Sequence, residues 1–90
     1  MLKITKRGAR AWVTFTFPAG RENVRLKGSW NGWRPEAMRR KKNGDFYLMK
    51  VLPAGSSHEF GYDADGEWVV EEGLPRVATP FGSENALLQL

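Results

Sequence analysis

The chain has no cysteine and only one histidine, His58, among its 90 residues. Without thiols there are no disulfides and no thiolate nucleophile, which fits a reducing, cytoplasmic setting. No apolar run approaches the ~20 residues that a membrane-spanning helix needs. The amino terminus, Met1-Leu2-Lys3-Ile4-Thr5-Lys6-Arg7, is basic, but no continuous apolar segment follows it. The expectation is a soluble protein that is not exported. The serines, at 29, 56, 57 and 83, all lie outside any Gly-x-Ser-x-Gly, and no phosphate-cradling Gly-x-x-x-x-Gly-Lys-Ser/Thr loop is present. His58 has no acid or nucleophile placed near it in a recognisable motif, so neither catalysis nor a cofactor is expected. Asp63-Ala64-Asp65-Gly66-Glu67 begins like a calcium loop. Its glycine comes two positions too early and the distal glutamate is missing, which leaves an Asp-Gly hairpin turn and no metal site.

Acidic residues are scarce in the first half of the chain. Residues 1–42 hold 12 Lys/Arg against 2 Asp/Glu, whereas residues 43–90 hold 2 against 8. A basic segment raises the question of a polyanionic partner. Strands from both halves interleaving in one small fold would mix those charges, so nucleic acid is not expected. The basic run Arg39-Arg40-Lys41-Lys42 leads into the Asn43-Gly44 turn and reads as a solvated tip.

What the sequence does contain is short alternating segments cut by turn signals at roughly ten-residue spacing. Val13, Phe15 and Phe17 share one face of a strand that Pro18-Ala19-Gly20 ends. Val24-Arg25-Leu26-Lys27-Gly28 alternates again, and Phe46 to Val51 follows the Asn43-Gly44 turn. Phe60, Tyr62 and Ala64 form the inward face of the next strand, which Asp65-Gly66 turns into Glu67-Trp68-Val69-Val70. A polar loop, Gly73 to Asn85, leads to a last strand over Leu87 to Leu90. No stretch shows a 3.6-residue period, so little or no helix is expected. About seven short antiparallel strands predict an all-β sandwich of one domain, 11–90, preceded by a loosely ordered segment, 1–10.

The period from Val24 and Leu26 puts Trp30 in the core. Asn31-Gly32 then breaks the strand and leaves Trp33 on a loop with its ring exposed, and Trp68 likewise stands at a turn edge. Two such rings form a platform for either bases or the C–H faces of pyranose rings. A sugar further needs amide or carboxylate partners for its hydroxyls, and Asn85 lies in a suitable loop.

Several motifs, in order, resemble the early set glycogen-binding domains, family 48 of the carbohydrate-binding modules, which are immunoglobulin-like β-sandwiches. These occur at the front of isoamylases and branching enzymes and in the β subunit of AMP-activated protein kinase. The motifs are Val13-Thr-Phe-Thr-Phe17, Val24 through Gly28-Ser-Trp-Asn-Gly-Trp33, Gly44-Asp-Phe46, Leu52-Pro-Ala-Gly55, Asp65-Gly-Glu-Trp68 and Phe81-Gly-Ser-Glu-Asn85. The resemblance implies a non-catalytic module for α-1,4-glucans such as glycogen or malto-oligosaccharides. It implies that Trp33 and Trp68 stack on glucose units, that Asn85 binds sugar hydroxyls, that Phe81 lies against the glucan and that Ser83 sits near it. It further implies a separately encoded glycogen-metabolism enzyme or a second copy as protein partner. The chain departs from the family at Phe60-Gly61-Tyr62, where sugar-binding members often carry a central lysine, and at Asp63, usually apolar. The alternative is therefore a protein-interaction domain of the same fold that has lost the sugar. Lys50, on the face of Phe46, Leu48 and Leu52, either snorkels from an edge or marks a different register.

Overall fold

Alternation of apolar and polar residues lays down the long strands, because successive side chains point to opposite faces of a sheet. The computed structural model describes residues 2–90. In chain order the strands are β1 (Leu2–Arg7), β2 (Arg10–Phe17), β3 (Val24–Gly28), β4 (Glu36–Ala37), β5 (Arg39–Arg40), β6 (Phe46–Pro53), β7 (Ser57–Ala64), β8 (Glu67–Val69), β9 (Arg76–Ala78) and β10 (Glu84–Gln89). Ser29–Asn31 forms a single 3-10 turn. One antiparallel sheet runs β1-β2-β6-β5; the other runs β4-β3-β7-β10-β9, with β8 also paired to β7. Among the described residues no helix is long and apolar enough to cross a membrane.

The core is built mainly from the inward faces read from the alternation, joined by β10. Val13, Phe15, Phe17, Val24, Leu26, Phe60, Tyr62, Ala64, Ala86 and Leu88 are all buried. Phe60 sits at its centre, 5.1 Å edge-on from Phe15, 5.9 Å from Tyr62 and 6.0 Å from Trp30, ring centroid to ring centroid. Burial, together with a 2.7 Å hydrogen bond to Glu71 Oε1, pushes the Tyr62 phenol well above its usual range.

Three expectations change. The stretch read as a loop from Gly73 to Asn85 holds β9, and the last strand begins at Glu84, so Asn85 lies on β10. Leu2–Arg7 is not loose: it forms β1, paired in register with β2 from Leu2 opposite Phe15 to Arg7 opposite Arg10. Its apolar residues are too few to show in a sequence, and the ladder hydrogen bonds to β2 hold it. Trp30 does not continue β3. It enters the 3-10 turn, packs half-buried against Phe15 at 5.4 Å, and lies over Gly28, where an added Cβ would come within 2.4 Å of its ring.

Lys50 keeps the expected register, directly opposite Val13. Its ammonium reaches Glu36 Oε1 at 2.6 Å, while Glu36 Oε2 accepts the Trp30 indole N–H at 3.1 Å. The cation lies 5.7 Å from the centre of the Trp30 ring. An inward lysine is thus accommodated by a carboxylate and an aromatic face at the rim of the core.

The two halves of the chain do interleave. β2 pairs with β6 and β3 with β7, placing Arg25 opposite Asp63, and Arg21 bridges to Glu67 at 2.7 Å. In the basic run, Arg40 donates to the carbonyls of Arg21 and Glu22 and lies over the Phe46 ring, and Lys41 lies over Tyr47.

Asp65-Gly66 joins β7 to β8 as a two-residue turn with positive φ at both positions, 52° and 87°. That is the type I′ geometry matching the twist of the flanking strands. The Asp65 carboxylate reaches across to the loop before β3, accepting the N–H groups of Asn23 at 2.8 Å and Glu22 at 3.1 Å. These backbone bonds hold its carboxyl below the usual carboxylate range. A pKa lowered by folding adds stability that is present above the unfolded value, about 4, and fades as pH falls through the folded one. Urea midpoints measured on acidification below pH 4 should therefore fall in the wild type and fall less steeply in Asp65→Asn.

Candidate functional site

Trp33 is placed by a short chain of local causes. Gly32 and Trp33 both adopt positive φ, 72° and 69°, which turns the chain back on itself. The Trp33 N–H bonds to Gly28 O at 3.0 Å. The Asn31 side chain then clamps both the N–H and the C=O of Arg34, at 3.1 and 3.2 Å. The indole is left 36 % exposed on the outer face of the second sheet. Ser29 ties this loop to β7 by accepting the Glu59 N–H at 3.0 Å.

Trp68 lies on the same face, seated on β7. A Cβ built on Gly61 would stand 2.2 Å from its Cζ2 atom, so the ring rests directly on the glycine backbone. The indole N–H donates to Glu84 O at 2.9 Å, which pins the ring between β7 and β10. Gly61 read alone suggests a lost polar partner. In the fold it is the space that Trp68 occupies.

The β9–β10 hairpin supplies the opposite wall. Thr79 N–H bonds to Ser83 O at 2.9 Å, and the Thr79 and Ser83 hydroxyls meet at 2.8 Å. Thr79 Oγ1 also accepts the N–H groups of Phe81 and Ser83, both at 3.3 Å. At the tip of this tied loop Phe81 is 93 % exposed. Asn85, on β10, is 7 % exposed and donates from Nδ2 to Glu59 Oε1 at 3.2 Å.

Trp33, Trp68, Phe81, Ser83 and Asn85 all line one groove of about 650 Å³. All five residues expected from the sequence are thus brought together, although the Ser83 hydroxyl is engaged in holding the hairpin. Lys27, Ser29 and Glu59 line it as well, joined by Val77, Thr79 and Pro80. Lys27 and Glu59 escape a reading of the sequence because outward polar residues of a strand look like an ordinary solvated face. A separate cleft of about 490 Å³ lies beside Phe17, Pro18, Tyr62 and Val70, and none of the five residues lines it.

The fold and the groove define a class: a small β-sandwich with an aromatic-lined groove on one sheet. The pattern of the glycogen recognition site of AMP-activated protein kinase matches residues 11–90, and the chain belongs to that family. It is 31 % identical over 75 residues to the SNF1-related protein kinase regulatory subunit beta-2 of Arabidopsis thaliana, covering 83 % of this chain and 26 % of that one. It is 30 % identical over 78 residues to 5'-AMP-activated protein kinase subunit beta-1 of Rattus norvegicus, covering 87 % and 28 %. With subunit beta-2 of Homo sapiens the identity is 31 % over 71 residues, covering 79 % and 26 %. The chain spans about a quarter of the length of these curated relatives.

Proposed function

We propose that this chain is a non-catalytic module that binds α-1,4-glucans of the glycogen and starch type. Trp33 and Trp68 take the apolar faces of glucose units, Phe81 packs against the chain from the opposite wall, and Asn85 bonds sugar hydroxyls. The observation that carries the reading is Phe81. A phenylalanine 93 % exposed on a loop tied by five hydrogen bonds faces a groove with two tryptophans, an arrangement that contributes nothing to the core. Flat aromatic walls with an amide between them suit a ligand with apolar faces and paired hydroxyls. Having one bond to Glu59, the Asn85 amide retains three of its four hydrogen-bonding positions.

An open groove buries few atoms of a well-hydrated ligand, so a single site should bind a short oligosaccharide in the micromolar to millimolar range. Membership of a family of kinase-subunit glycogen recognition sites supports a tethering role, in which the glucan positions a partner protein. Tryptophan fluorescence titrated with maltoheptaose tests the reading. The wild type should saturate, and Trp33→Ala should weaken binding roughly tenfold, in line with the ~0.5–1.5 kcal/mol of an aromatic contact plus lost burial. A flat wild-type response at millimolar sugar from folded protein would overturn it.

The alternative, a protein-interaction domain of this fold, has one observation in its favour. Trp12 and Val51 stand opposite each other on the outer face of the first sheet, next to Met49, and Met49 and Val51 are 58 % and 48 % exposed. That face lies on the other sheet from the groove, so a glucan titration separates the two readings.

A further inference from the structure

The groove contains two charged side chains to which the reading above gives no task. Lys27 projects outward from β3 and is partly buried in the groove. Its register partner is Gly61, the residue on which the Trp68 ring lies, so Lys27 and Trp68 share one patch of the sheet's outer face and line the same groove. Glu59 stands two residues before Gly61 on the same face of β7, with one carboxylate oxygen held by Asn85. Among the described residues no ion pair joins Lys27 to Glu59 or to any other carboxylate. Opposite charges on diagonal positions of neighbouring strands are within reach of each other and would ordinarily close on one another. Here Asn85 holds the Glu59 carboxylate, while Lys27 lines the groove beyond it.

We propose that Lys27 and Glu59 are sugar-binding residues that act as a donor–acceptor pair for adjacent hydroxyls of the glucose unit at Trp68; this rests on the α-glucan reading. An ammonium offers three N–H donors and no acceptor, and an ionised carboxylate accepts only. A vicinal diol presents the matching set, since each hydroxyl both donates and accepts. Bonds in which one partner is charged are stronger than neutral ones. The pair therefore supplies directional recognition where the aromatic walls supply only contact. Because the two charges cancel, the site selects a neutral sugar rather than a phosphorylated one.

Isothermal titration with maltoheptaose on the intact chain tests this with four proteins: wild type, Lys27→Met, Lys27→Arg and Glu59→Gln. Methionine keeps an unbranched apolar stem and removes the donors. Glutamine keeps an oxygen for Asn85 and removes the charge. Lys27→Met and Glu59→Gln should each weaken binding about tenfold, as expected for a hydrogen bond to a charged group, with thermal midpoints unchanged. Lys27→Arg, which keeps the cation, should stay within about threefold of the wild type. Wild-type binding with Lys27→Met unaltered would overturn the pair and leave the glucan reading standing. No binding by the wild type would remove the glucan reading itself.

Discussion

Gly61→Val should abolish most glucan binding while leaving a folded domain. The backbone at 61 lies outside the positive-φ positions, so the substitution brings no conformational strain, and valine is a better strand residue than glycine. The constraint is space. With a Cβ 2.2 Å from Cζ2 and 2.7 Å from Cε2 and Cη2 of Trp68, the indole must leave its seat and lose its bond to Glu84 O. Overpacking of this kind costs about 1–3 kcal/mol, offset in part by the gain in strand propensity. Stability should therefore fall by no more than about 2 kcal/mol in urea denaturation, whereas maltoheptaose affinity falls at least tenfold. In a Trp68→Ala background the same substitution should cost no stability, because the ring it collides with is gone. An unchanged affinity in Gly61→Val would mean that Trp68 does not touch the sugar.

The second large effect is on the fold. Phe60→Ala should cost about 3–5 kcal/mol, the usual range for deleting a fully buried phenyl ring. Phe60 is 0 % exposed and touches Phe15, Trp30 and Tyr62, so three other rings lose a packing partner at once. A domain of this size has about 5–15 kcal/mol in total, so the variant would be marginal. Its thermal midpoint should drop on the order of 15–30 °C. Phe60 also pairs with Gly28, whose carbonyl holds the Trp33 amide, so glucan binding should weaken even where the variant remains folded. A shift of only a few degrees would show that the core repacks around the hole.

Those two residues also mark how far the sequence could be read. Phe60 announces itself: it alternates with Tyr62 and Ala64, and alternation is the direct imprint of a sheet with one buried face. The same imprint revealed β2, β3, β6 and β7. It did not reveal β1, whose Lys3, Thr5, Lys6 and Arg7 mask the few apolar positions, nor β4, β5 and β9, which are two or three residues long and exist through their neighbours. Trp33 and Trp68 were legible because turn signals place large rings at loop edges, Asn85 because it falls in a stretch that reads as a polar loop, and Phe81 and Ser83 only through the resemblance to the glycogen-binding domains. Gly61 was legible only as an absence. That it forms a seat depends on a ring from another strand, and no local pattern encodes a contact between β7 and β8 side chains. Lys50 shows the same limit from the other side: its register was readable, but the Glu36 carboxylate that makes it tolerable arrives from a two-residue strand.

The left-handed backbone at Trp33 bears on how such a site persists through time. A large side chain at positive φ carries a conformational penalty of about 1–3 kcal/mol that glycine, or to a lesser extent asparagine, would escape. Mutation at this codon therefore has a downhill direction, away from tryptophan and toward a more stable fold. In a lineage whose groove had fallen idle, nothing would oppose that slide, and the indole would be among the first features to vanish. A tryptophan at this position therefore holds its ring over the groove against the preference of its own backbone, the opposite of what fold stability alone would choose.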